Sequence, residues 1–389
     1  MVIMRRVAVV GVGCTKMGEH WDKSLRDLST EAGALALKDA QAEGKEIEAL
    51  FIGNMSAGRF VGQEHLAALA AEQAGLTPIP ATRCEAACAS GALAFARACR
   101  SIQAGEHDIV VAAGAEKMTD LKGTDAISTL MGAGDQEWES SMGLTFAGLY
   151  ALMARAYMKR YNLTRDELAL VPVKNHHHGM NNPYAQFHME VTADQVKRSS
   201  LIADPLRLLD CSPITDGAAT IILASEEAAK RFKNPVWVHG IGQASDTLAL
   251  HNRADITYTA AADHAGKAAL KQAGIGIDRI NIAEVHDCFS IAEIMAYEAL
   301  GLAERGRSKD LLKNKETTIG GRIPVNTDGG LKMGHPVGAS GIKQIIEIVK
   351  QIRGEAGNQV KGCEYGLSHS VGGSGATCVV SVFGKEEPR

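Results

Sequence analysis

One stretch of this chain returns in its second half. "VAVVGVG" at Val7–Gly13 reappears as "VWVHGIG" at Val236–Gly242, and "GALALKDA" at Gly33–Ala40 as "GKAALKQA" at Gly266–Ala273. "IEALFIG" from Ile47 matches "INIAEVH" from Ile280, and "ASG" at Ala89–Gly91 matches "ASG" at Ala339–Gly341. Both halves run strand, helix, strand, then a helix opening with Ala-Ser-Gly. Four matches in one order, with slowly drifting spacing, restrict the chain to two copies of one supersecondary unit.

Each copy is an α/β unit. The strands are short, apolar and β-branched, as in Val7–Val10 and Ile109–Ala112, and the helices between them are rich in Ala and Leu, as in Leu28–Ala42 and Ala262–Ala273. Such alternation predicts a mixed sheet covered by helices. Ala89–Cys99 and Ile342–Ile352 carry apolar residues over much of their surface, which suits helices held between two sheets. Residues 116–202 break the rhythm with seven methionines and the run His176–His178, so they read as an excursion from the first half. "DGAATIILAS" at Asp216–Ser225 closes that half. The expected organisation is a first half of residues 1–115 plus 203–232, an inserted loop domain of 116–202, and a second half of 233–389. Long insertions in compact folds usually line a site or an interface.

Composition narrows the partners. Hydrophobic residues at 46% and charged residues at 22% match an ordinary soluble globular protein. A net charge of −4 gives no general attraction to nucleic acid or to an anionic membrane. Met1–Arg6 leads straight into the short apolar run Val7–Val10, so neither a targeting segment nor a membrane span is expected, and the expected location is the cytoplasm. There the eight cysteines should be reduced, and no Cys-x-x-Cys spacing suggests a structural zinc. No metal and no cofactor is expected.

Four segments carry side chains capable of chemistry. "CASG" at Cys88–Gly91 sets a cysteine at a helix start, where backbone N–H groups and the helix dipole favour a thiolate; Ala89 and Gly91 would let a substrate approach. The same spacing also suits a small buried cysteine at a tight strand–helix junction. The equivalent position in the second half is Gly338, with no nucleophile. "GHPVGASG" at Gly334–Gly341 puts His335 before the duplicate helix, as a proton acceptor or as a turn cap. "EVHDCFS" at Glu284–Ser290 puts His286, Asp287 and Cys288 at the carboxyl end of a strand, where ligands of α/β sheets gather; Cys288 is a proton carrier or a core cysteine. "SHSVGGSGA" at Ser368–Ala376 can offer N–H groups to an oxyanion. His176–His178 would point to different faces of a helix, which argues against a metal site, and Arg305, Arg307 and Lys309 read as a solvated loop.

Together with "PLRLLDCSPITDGAA" at Pro205–Ala219, these segments resemble the thiolase superfamily along essentially the whole chain. The "HDCF" at His286–Phe289 is similar to the sterol-carrier-protein-type and archaeal acetyl-CoA acetyltransferases. The resemblance implies duplicated βαβαβαββ halves in five α-β-α-β-α layers with an inserted loop domain. It implies that Cys88 is the acylated nucleophile, His335 its base and part of an oxyanion hole, and His286 a second member of that hole. Backbone N–H groups of Cys88 and Gly372 would form another hole, and Met142 in "SMGLT" would line the acyl pocket. Where many relatives have a second catalytic cysteine in a Cys-x-Gly turn, this chain has Ser370, so Cys288 would supply the acid and base. The activity implied is Claisen condensation of two acetyl-CoA to acetoacetyl-CoA and the reverse thiolysis, with coenzyme A as substrate and product. A homodimer or homotetramer is implied, since the strand Ala81–Ala86 pairs between subunits in relatives. A role in mevalonate synthesis beside hydroxymethylglutaryl-CoA synthase and a zinc-ribbon/OB-fold protein is also implied. The alternatives are a ketoacyl-synthase-type condensing enzyme, from the same Cys-His-His set, and a non-catalytic acyl-CoA-binding scaffold for a partner enzyme.

Overall fold

The two sequence copies become two sets of strands. The computed structural model describes residues 4–388; Met1–Ile3, the start of the stretch read for a targeting signal, and Arg389 lie outside the described residues. The strands are β1 (Val7–Cys14), β2 (Ala49–Gly53), β3 (Ala81–Cys84), β4 (Ile109–Glu116), β5 (Leu201–Ala203), β6 (Leu206–Arg207), β7 (Gly217–Ser225), β8 (Val236–Ser245), β9 (Ile282–Val285), β10 (Tyr365–Gly372) and β11 (Thr377–Gly384). In the first half β2 runs parallel to β3 and β4, and β7 runs antiparallel between β4 and β1. In the second half β9 runs parallel to β10, and β11 runs antiparallel between β10 and β8. Where the first half has β3, the second has a parallel bridge from Ala283 to Val325. The two expected sheets touch along one edge, because β1 and β8 pair through Ala8–Trp237 and Val9–Val236. The hydrogen-bonded order is therefore a continuous β3-β2-β4-β7-β1-β8-β11-β10-β9.

The layers follow from which residues share a core. Helices Ser90–Gln103 and Ser340–Arg353 pack with Val9, Ile221, Ile282, Val379 and Phe383, which come from both halves of the sheet, so these helices form the central layer. Helix Leu25–Ala40 covers the outer face of the first half, and helices Ala260–Ala273 and Ser290–Ala299 cover that of the second. A central position explains why Ser340–Arg353 buries even Lys343, Gln344, Glu347 and Gln351.

The repeated Ala-Ser-Gly is a packing device. A Cβ on Gly91 would lie 2.6 Å from the Gly338 carbonyl oxygen, and a Cβ on Gly341 would lie 2.6 Å from the Ala92 nitrogen. The two helix starts thus touch backbone to backbone, each admitting only hydrogen. Gly91 was expected to give a substrate room; it faces the partner helix instead. Gly91→Ala should destabilise the fold by about 1–3 kcal/mol, as overpacking of a rigid core does, measured by denaturant unfolding. An unchanged midpoint would show that the central helices can separate.

The excursion from the first half is largely helical, with helices Phe146–Tyr161 and Leu170–Gly179, and the small β5–β6 hairpin straddles its end. Leu149, Tyr150, Met153 and Tyr157 share a core with Ile291, Met295 and Tyr297 of the second half. A segment belonging to one copy in sequence is thereby buried against the other. Among the described residues no helix is long and apolar enough to cross a membrane.

Candidate active site

The turn that carries Cys88 is tight. Between β3 and helix Ser90–Gln103 the chain makes a single 3-10 turn, Ala87–Ala89. The Ser90 hydroxyl donates to the Ala87 carbonyl at 2.6 Å and accepts from the Ala86 N–H at 2.9 Å. Ala87 takes φ of +50°, a left-handed conformation that costs a Cβ-bearing residue about 1–2 kcal/mol. Strain of this kind persists where surrounding structure over-determines it, often at reacting groups. Beneath the turn the buried Glu116 carboxylate accepts from Asn54 Nδ2 and from the N–H groups of Met55 and Ser56. Burial pushes the Glu116 carboxyl up to about 7 against those hydrogen bonds.

His335 arrives from the second half. Its N–H donates to Thr215 Oγ1 at 3.0 Å, and its Nδ1 is 2.7 Å from the Ser340 hydroxyl. That hydroxyl donates its proton to the Pro336 carbonyl at 2.8 Å, so it must accept from Nδ1–H. The tautomer is thereby fixed with the lone pair on Nε2. Burial, with Lys343 and Lys332 nearby, brings the His335 imidazole down to about 3, so the ring is neutral.

His286 and Cys288 follow β9. Both ring nitrogens of His286 are buried without a hydrogen-bond partner. Burial first, and then His335, His369 and Lys332, hold this ring well below the ordinary histidine range. Asp287 turns away from the cluster and braces the loop: its carboxylate accepts from the Leu331 N–H at 2.7 Å and from Asn175 Nδ2 at 2.7 Å. Asn175 and Lys174, both on helix Leu170–Gly179, also hold Glu293 one turn further on, so the excursion clamps the His-Asp-Cys-Phe loop.

The structure brings the key groups together. The Sγ of Cys88 and ring nitrogens of His286 and His335 all lie within 4.8 Å of one another, and the two rings stand edge to face with centroids 5.1 Å apart. Cys288 is buried beside them, and burial, together with the neighbouring Cys88, raises its thiol far above the ordinary range, while the nearby Tyr150 hydroxyl opposes that shift. Cys88 itself is a partly exposed residue whose thiol is pushed up to about 12 by desolvation of the sulfur. The expected thiolate at the helix start is thus replaced by a neutral thiol beside a neutral imidazole. In this setting the proton leaves sulfur only as the sulfur attacks, which is general-base rather than pre-formed thiolate chemistry.

The backbone N–H aimed at the Cys88 sulfur is that of Gly373. Gly372 ends the β10–β11 ladder opposite Thr377, whereas Gly373, with φ of +61°, is the first residue free to turn. Gly372 does press on the nucleophile turn, since a Cβ there would lie 2.4 Å from the Ala86 oxygen. Met142 is not part of the cluster: it lies just past the Gln136–Ser140 turn with 71% of its surface exposed. Ser370 is buried, in the strand. His176, His177 and His178 bond to Met189, Glu190 and Asn326 separately, as the helical spacing required. Arg305 stays exposed but is paired with Asp255, and Lys309 donates to the carbonyls of Tyr161 and Asn162.

Sequence reasoning missed Tyr150, Ser340 and Arg253. Tyr150 stacks on Phe289 with centroids 4.7 Å apart and donates to the Gly373 carbonyl at 3.0 Å, touching both the Cys288 loop and the glycine turn. Arg253 holds the same turn by donating to the Ser374 carbonyl at 2.6 Å. Tyr150→Phe should slow the step that uses Cys288 by about tenfold, the worth of one hydrogen bond to a charged form, while leaving acylation of Cys88 near wild type. Equal loss in both steps, followed by rapid quench, would mean that Tyr150 serves only packing.

Comparison with known proteins agrees with this geometry. Residues 7–227 match the family model "Thiolase, N-terminal domain" and residues 242–385 match "Thiolase C-terminal domain-like". The chain is 53% identical to an acetyl-CoA acetyltransferase of Methanothermobacter thermautotrophicus, over 98% of this chain and 100% of that protein. It is 34% identical to sterol carrier protein 2 of Gallus gallus, over 97% of this chain and 72% of that protein. The human mitochondrial 3-ketoacyl-CoA thiolase, solved in complex with CoA, superposes with a TM-score of 0.77 at 20% identity, covering 100% of this chain and 99% of the other.

Proposed function

This chain belongs to the thiolase family, and from that premise we propose that it is an acetyl-CoA acetyltransferase working through an acyl thioester on Cys88. The observation that carries the reading is the convergence of the Cys88 sulfur with the ring nitrogens of His286 and His335 within 4.8 Å. In the first half-reaction Cys88 Sγ attacks the thioester carbonyl of acetyl-CoA while His335 Nε2 accepts the thiol proton. The N–H groups of Cys88 and of the Gly372–Gly373 turn receive the developing oxyanion. Coenzyme A departs with the proton from His335.

In the second half-reaction a proton passes between Cys288 and the α-carbon of the other acyl-CoA, with His286 donating to the enolate oxygen. Carbon–carbon bond formation at the acetyl-Cys88 carbonyl gives acetoacetyl-CoA and expels the Cys88 thiolate, which takes its proton from Cys288. Thiolysis is the same path reversed. The Cys288 thiol, held protonated by its burial, is in the form that thiolysis needs for protonating the departing enolate. For condensation it must first lose that proton, and the Tyr150 hydroxyl lowers the cost by turning its proton from the Gly373 carbonyl to the sulfur.

In this reading the inserted domain, residues 116–202, steadies the Cys288 loop through Lys174 and Asn175. The edge strand β3 has one unpaired side and supports assembly into a homodimer or homotetramer, which a monomer in sedimentation at micromolar concentration would contradict. A cytoplasmic role in mevalonate synthesis, beside hydroxymethylglutaryl-CoA synthase and a zinc-ribbon/OB-fold protein, rests on the family resemblance, and failure of the three to co-purify would argue against it. The direct test of the activity is thiolysis of acetoacetyl-CoA by free CoA. Turnover yielding two acetyl-CoA per acetoacetyl-CoA consumed is expected; no turnover with either substrate in excess would leave the non-catalytic scaffold.

A further inference from the structure

The three groups that make the site nucleophilic are also a ligand set. A thiol and two imidazoles whose donor atoms lie within 4.8 Å of one another match the ligand types of a soft divalent cation. A histidine nitrogen binds a metal only through a free lone pair, so one that is protonated or already hydrogen-bonded is no ligand. Here His335 is locked by Ser340 with its Nε2 lone pair free. His286 is 1% exposed and has neither ring nitrogen engaged, so a buried polar side chain stands ready to bind beside Cys88. The Nδ1–H bond from His335 to Ser340 is also the kind of contact that orients a metal-bound imidazole.

We propose that Cys88, His286 and His335 form an inhibitory binding site for a divalent cation of the zinc class. Zinc–sulfur and zinc–nitrogen bonds of about 2.3 and about 2.0–2.1 Å require these atoms to draw in slightly, with a fourth position left for water. On binding, the Cys88 S–H bond breaks, a sulfur–metal bond forms, and the proton leaves to the buffer; no group changes oxidation state. The bound ion occupies both the attacking sulfur and the lone pair of its base, so acylation stops until the ion is removed. Charge around the site sets the selectivity. Lys332 and Lys343 oppose any cation near His335, while Glu116 and Glu85 act on the Cys88 side. An ion held mainly by charge, such as magnesium, gains little there. One that bonds covalently to thiolate sulfur gains most. The site is distinct in purpose from a catalytic metal centre, and it rests on the proposed catalytic role of Cys88 only for its inhibitory consequence.

The experiment titrates the reduced, full-length protein with cobalt(II) chloride and then zinc chloride. The expected result is a thiolate-to-cobalt charge-transfer band saturating at one ion per chain and displaced by zinc, with about one proton released per zinc bound. Magnesium chloride should give neither signal. Loss of an outer-shell partner typically weakens metal binding 10–100-fold, so Cys88→Ala, which removes a direct ligand, should weaken zinc at least about a hundredfold and abolish the band. His286→Asn should weaken it at least about tenfold. A wild-type protein without the band, or a Cys88→Ala variant binding zinc as tightly as wild type, overturns the inference. Because binding is read without turnover, a band in a protein lacking thiolysis would count against the enzyme reading alone, and normal thiolysis without a band against this inference alone.

Discussion

Cys88→Ala is expected to lower thiolysis of acetoacetyl-CoA by on the order of 10⁴–10⁶-fold, the range seen when a covalent nucleophile is removed. No other group can take its place. Cys88 sits on the 3-10 turn Ala87–Ala89 with Gly373 N–H aimed at its sulfur, whereas Cys84, four residues earlier, is buried at the end of β3. The matching turn of the second half has Gly338, and its Cα faces Glu116 and Asn54. The substitution removes one sulfur atom from a partly exposed position, so it should leave the fold intact, and unchanged circular dichroism and unfolding midpoint would separate chemistry from stability. Steady-state rates within tenfold of wild type would remove Cys88 from the reaction.

The second large effect separates the two thiols. Cys288→Ala should still accept an acetyl group on Cys88, because acylation needs His335 and the oxyanion donors but no carbanion. It should lose condensation and thiolysis by about 10²–10⁴-fold, the usual contribution of general acid–base catalysis. Cys288 is buried against Tyr150 and lies beside Cys88, so it is next to the reacting sulfur while lacking the exposed turn that an acceptor of acyl groups requires. Rapid-quench acylation beside steady-state turnover measures the split. A variant that condenses normally would move the proton-carrier role to His286. A variant that cannot be acylated would make Cys288 part of the first site.

The duplication was legible because packing wrote it into the chain twice: Gly91 and Gly341 recur where two helices meet backbone to backbone, and no other residue fits. The same holds for Cys88, His286, Cys288 and His335, which sit at strand or helix ends that periodicity can locate. Tyr150 was illegible because it reads as one more apolar residue in helix Phe146–Tyr161, and its role depends on Gly373, 223 positions away. Ser340 lay inside a recognised motif, yet its hydroxyl fixes the tautomer of a residue five positions earlier, which residue type alone does not disclose. Met142 lies on an exposed turn outside the cluster, and loops hold their geometry far less tightly than the elements they connect. At Cys88 the backbone N–H groups lower the thiol as a helix start should, but the protein mass that desolvates the sulfur outweighs them.

The central claim is a thioester on Cys88, and peptide mass spectrometry after acid quench tests it most directly. Wild-type protein mixed with acetyl-CoA in the absence of free CoA should carry one acetyl group, on the peptide containing Cys88, and adding CoA should remove it. Acetylation confined to another cysteine, or none in a preparation that is active in thiolysis, would contradict the account.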